Sequence, residues 1–163
     1  MYGKLIIEYI RKSNCIRIKG EGDLRDRTVA CNALLSHLEQ LLVEAGINPA
    51  DYYRALHDDN HPDISSQNAE ACFFNPIRDG MGDGILTFSF TDMGNLRTYA
   101  SGSAQNESCR IQMILDVIRS FLMNKGLSWK HFWMELEAEE RSKYQKNRWP
   151  ILNKLGLRRN PSN

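Results

Sequence analysis

The amino-acid sequence predicts an α+β fold: one mostly antiparallel sheet with two long helices packed on one face. Three observations predict it. Two pairs of short β-branched segments are each joined by a polar turn, as hairpins are. Each pair is followed by a long segment whose apolar residues recur at helical spacing. The strand-strand-helix unit occurs twice in outline, although no internal sequence repeat is evident in the residues themselves.

Residues 4–10 (KLIIEYI) are β-branched and aromatic and read as the first strand. A polar turn at 11–14 leads to a second strand at 15–18 (CIRI), where apolar and polar residues alternate. Gly20 and Gly22 end it, because glycine takes backbone angles closed to other residues. The first long helix follows. Leu34, Leu35, Leu38, Leu41 and Leu42 form its stripe, Thr28 is placed as its N-cap, and Gly46 stands where a helix-ending glycine belongs. Asn48-Pro49 begins a short helix reaching His57.

The character then changes. Residues 58–84 are polar and broken by Pro62 and Pro76, and read as an insertion between two halves of one domain. Residues 85–90 (ILTFSF) and 96–100 (LRTYA) make the second hairpin. Ser103 and Asn106 are candidate caps for the second long helix, residues 107–124, with the stripe Ile111, Ile114, Leu115, Ile118, Phe121 and Leu122. Lys125-Gly126 ends it. Residues 131–136 (HFWMEL) suit either a last strand or a helical turn. Residues 135–146 are acidic first and basic later, as a helix dipole favours, and Pro150 stops them. The domain is therefore placed at 1–137, with the insertion at about 58–84, and a charged helix and basic tail at 138–163.

With 163 residues, 42% of them apolar, 25% charged and a net charge of +1, the chain has the make-up of an ordinary single globular domain. That charge gives no bulk reason to expect a membrane or nucleic-acid partner. No apolar run is long enough to span a bilayer, and the N-terminus lacks a signal-peptide pattern, so the expected location is the cytoplasm. The four cysteines (Cys15, Cys31, Cys72, Cys109) are scattered without CxxC spacing, and are expected to be reduced thiols.

Chemistry points first to Cys31. It falls at the start of the first long helix, where free N–H groups and the helix dipole favour a thiolate. It also shares the stripe of Leu34, Leu35 and Leu38, so a place in the core is the plainer reading. The ββαββα order, with Gly20 closing the second strand and Thr28-Val29-Ala30-Cys31-Asn32-Ala33 opening a helix, resembles the ribosomal-processing cysteine protease family, Prp. That family is bacterial and phage-borne, trims an N-terminal extension from a ribosomal protein, and forms homodimers. Its motif is a Gly-His pair, a loop, then Asp-Ile-Val-Cys-Ala-Ala, with His and Cys as the catalytic dyad. In this chain Glu21 stands at the histidine position and Thr28 at the aspartate. A carboxylate is far too weak a base to take a thiol proton, and a nearby negative charge raises a thiol's pKa. The resemblance therefore implies a homodimeric Prp-like scaffold whose dyad is lost.

Other segments suggest binding. The tail holds Arg141, Lys143, Lys146, Arg148, Arg158 and Arg159 with Trp149 among them, and no acidic residue. Such a segment grips phosphates and stacks on bases, or is simply a solvated helix end. Phe73 and Phe74 are apolar residues in a polar insertion, and either anchor it to the core or offer a protein-binding patch. His57 and His61 lie among Asp58, Asp59 and Asp63, but Pro62 argues against the regular helix that an i, i+4 metal pair needs, so no metal and no cofactor are expected.

The expected function is accordingly a catalytically inactive Prp-like protein that binds another macromolecule, as an inhibitor or accessory protein of a phage or mobile element. The partner is expected to be a protein, or nucleic acid through the basic tail. Two alternatives stand beside it. One is a working cysteine protease, acting on a ribosomal or phage protein with a base drawn from the insertion. The other is a nucleic-acid-binding module that uses the tail.

Overall fold

The computed structural model describes residues 1–58 and 81–154, with side chains described as far as residue 143. Four strands, β1 (Gly3–Ile10), β2 (Cys15–Gly22), β3 (Gly84–Phe90) and β4 (Leu96–Gly102), form one antiparallel sheet in the order β2-β1-β3-β4. Four helices accompany it among the described residues: α1 (Arg27–Glu44), α2 (Pro49–His57), α3 (Glu107–Asn124) and α4 (Trp129–Lys154). The fold is thus α+β, as the sequence predicts.

Strand alternation decides which side of the sheet is covered. Leu5, Ile7 and Tyr9 of β1 and Leu86 and Phe88 of β3 are buried, and they join the stripes of α1 and α3 in one core. Ile7 pairs across with Ile18 and with Leu86, so these three face the helices together. The alternate residues Lys4, Arg17, Lys19, Glu21, Arg97 and Tyr99 are exposed on the other face.

Several boundaries differ from the sequence expectation. Asp26, not Thr28, caps α1: its Oδ1 accepts from the N–H groups of Thr28 (2.8 Å) and Val29 (3.3 Å). A carboxylate reaches two free N–H groups at once, which a threonine hydroxyl two residues later is too deep in the helix to do. Asn106 caps α3 in the same way through the N–H of Cys109. β2 continues through Gly20 to Gly22, because Gly20, Glu21 and Gly22 go on pairing with Leu5, Lys4 and Gly3 of β1; glycine at 20 also lets the backbone of Leu24 and Arg25 come close, where a Cβ has no room. Residues 131–136 are helical and belong to α4, which runs on through Pro150 to Lys154. The boundary placed after residue 137 therefore lies inside a helix. Residues 59–80 of the insertion, and with them Phe73 and Phe74, lie outside the described residues. Its end is tied down: Met81 is buried, and Asp83 Oδ1 accepts from the Arg11 N–H at 2.8 Å.

The two halves are the same structure twice. Counterparts stand 80 positions apart from the end of each hairpin onward: Gly22 and Gly102, the caps Asp26 and Asn106, the 18-residue helices α1 and α3, and Gly46 and Gly126, both with positive φ. Their bonding repeats too. Asp26 and Asn106 each donate from their N–H to a 3-10 turn three residues back, and Ile47 and Leu127 to Leu42 and Leu122 at 2.8 and 2.9 Å. A pseudo-twofold axis therefore passes between the antiparallel central strands β1 and β3, which explains the strand order β2-β1-β3-β4. Residues near such an axis meet their own counterparts. Tyr53 of α2 stacks on Trp133 of α4, with ring centroids 5.4 Å apart. Few identities link the halves, since most core positions accept any apolar residue of suitable volume.

Candidate functional site

Cys31 lies five residues beyond the Asp26 cap, in the second turn of α1, where the backbone N–H groups are already bonded and the dipole has faded. The side chain is half-buried against the core. Burial pushes its thiol up to about 11, and the nearby positive charge of Lys125 offsets this only in part. Glu21 is not the cause. It sits on β2 opposite Lys4, on the face turned away from the helices, and pairs with Lys19 at 3.6 Å. The suggestion that a carboxylate beside the sulfur holds the proton there is corrected: burial does. Among the described residues no histidine bonds to Cys31. His37 Nε2 has no partner, and His57 Nε2 bonds to Glu137 at 2.7 Å.

The basic segment is partly neutralised. Arg141 donates to Glu137 Oε2 at 2.8 Å and to Asp51 Oδ1 at 3.2 Å. Lys143 lies 3.7 Å from Glu139 and 3.9 Å from Glu140. Lys146, Arg148 and Trp149 fall on the last turns of α4, beyond the described side chains, and Arg158 and Arg159 lie outside the described residues.

A cleft of about 570 Å³ opens between the edge strand β4 and the C-terminal half of α1. Its polar lining is His37, Gln40, Thr98, Gln105 and Arg110. His37 is only 7% exposed, with its ring edge on Phe88 (centroids 5.4 Å apart). Burial, then the charge of Arg110, lowers its pKa to about 4, against a hydrogen bond with Gln40 and the charge of Glu44, which raise it. The imidazole is therefore neutral near pH 7. Arg110 is held by the turn before α3: Nε donates to Ala104 O at 2.9 Å and Nη2 to Gln105 O at 3.3 Å. Those bonds fix the plane of the guanidinium and leave Nη1 free of them. A smaller cleft of about 220 Å³ occupies the equivalent place in the other half, between β2 and α3.

Sequence reasoning gives His37 no role and passes over the cleft. One signal was present: a histidine three residues after Leu34 and four before Leu41, within a leucine stripe. Arg110 and Thr98 gave none, because their meeting with His37 depends on how the two halves assemble. No protein-family model, curated protein or solved structure matches the chain.

Proposed function

We propose that the protein is a catalytically inactive binding protein on a Prp-like scaffold, acting by contact with another protein and not by cysteine chemistry. One observation carries this reading: a half-buried Cys31 whose thiol is pushed up to about 11, with no histidine against it among the described residues. At pH 7.5 only about one such thiol in three thousand is ionised, from the gap between pH and pKa. A thiol in that state is a poor nucleophile. A protein partner is favoured over nucleic acid because Arg141 and Lys143 are matched by carboxylates. The Prp-like ancestry, in which Glu21 replaces the base, belongs to the same proposal.

Two measurements test it together. Iodoacetamide at pH 7.5, followed by mass spectrometry, should label Cys15, which is exposed, well before Cys31. Incubation with a peptide library should give no product that depends on Cys31. Cleavage lost in Cys31→Ala, or alkylation of Cys31 ahead of Cys15, overturns the reading.

A further inference from the structure

The internal repeat supplies its own control for the β4–α1 cleft. Shifted by 80 positions, buried Val117 stands where the first half has His37, and buried Ala30 where the second half has Arg110. Ile18 stands where the cleft has Thr98. The scaffold therefore folds around valine, alanine and isoleucine at these places, and His37, Thr98 and Arg110 together are peculiar to one of the two equivalent clefts, the other being lined by Arg25 and Arg27 instead. The cost of that set is visible: His37 Nε2 is fully enclosed with no hydrogen-bond partner among the described residues.

We propose that this cleft binds a small organic acid, with its carboxylate on Arg110 and its uncharged body along Leu96 and Ala100. A guanidinium fixed in plane by two backbone carbonyls is ready for a carboxylate, since little side-chain freedom is left to lose. His37 lines the cleft and, being neutral, adds no second charge. Glu44, whose charge acts on His37, accepts from Gln40 Nε2 at 3.2 Å. One fixed cation with an acid nearby suits a monoanion and disfavours a phosphate dianion. Leu96 and Ala100 are half-buried and give the apolar wall.

The test is a titration of isotope-labelled protein with benzoate at pH 7, following the His37 imidazole and Arg110 Nε–H resonances. Both should shift and saturate. Arg110→Ala should abolish saturation, and His37→Val, which changes only the cleft wall, should weaken binding less than Arg110→Ala does. Both variants should keep a dispersed spectrum, since the counterpart position in the opposite half is valine for His37 and alanine for Arg110. Inorganic phosphate should bind more weakly at the same signals. The proposal is overturned if benzoate gives no saturable shift, if Arg110→Ala leaves it intact, if phosphate binds more tightly, or if either variant unfolds.

Discussion

His57 and Glu137 hold the same place in the two halves of the molecule, 80 positions apart, and they bond to each other at 2.7 Å. They sit where α2 meets α4. Both side chains are largely enclosed, at 14% and 17% exposure. Burial alone drives Glu137 up, yet hydrogen bonds from His57 and Arg141 outweigh it and leave the carboxyl below its ordinary range. The same joint carries Tyr53 on Trp133 and the bond from Trp129 Nε1 to Leu56 O at 3.1 Å.

This joint sets a first expectation. Glu137→Gln removes the charge that holds His57 and Arg141, and should cost about 1–3 kcal/mol in urea unfolding. Trp133→Ala, which empties a fully buried position, should cost more, about 3–5 kcal/mol. A Trp133→Ala protein as stable as the parent would mean that α4 does not share the core.

The repeat predicts matched effects. Gly22 and Gly102 have φ of 60° and ψ of −136° and −137°. A Cβ on Gly22 would lie 2.8 Å from the Tyr2 carbonyl oxygen, and one on Gly102 would meet the Asp83 carbonyl. Alanine at either should cost roughly 2–3 kcal/mol, the upper part of the range for a strained backbone. Gly46→Ala and Gly126→Ala have open space around them and should cost only about 1–2 kcal/mol, for positive φ alone. Unequal losses within either pair, read from thermal melts, would break the equivalence.

Acid should act through His37. Its pKa is about 4 folded and 6.5 in the reference state, so between those values the unfolded chain holds a proton that the folded one refuses. Stability therefore falls as pH drops through this window, by roughly 2–3 kcal/mol between pH 7 and 4.5. His37→Val should lose that much less over the same range in urea titrations. Equal acid losses in the two proteins would refute the assignment.

The caps distinguish two placements of the start of α1. Asp26→Ala and Asn106→Ala should each cost about 1 kcal/mol, and Thr28→Ala should be near neutral. A larger loss at Thr28 than at Asp26, measured by the same melts, would restore the cap expected from sequence.

The sequence by itself determined the strands and the two long helices, because period-two and helical spacings record which side of each element is buried. Leu34, Leu38 and Leu42 are buried as that spacing requires, and Asn106 caps α3 as expected. It also determined that Cys31 has no histidine at the second strand's end. Only the tertiary structure decided the rest. The dyad that joins His57 to Glu137 rests on contacts between residues far apart in sequence, and a repeat kept in shape with few shared identities leaves little mark on composition. Strand register turned Glu21 to the outer face, so burial and not that carboxylate governs Cys31. The meeting of His37 with Arg110 arose in the same way: each comes from a different half, and neither residue's own neighbourhood in the chain specifies the other.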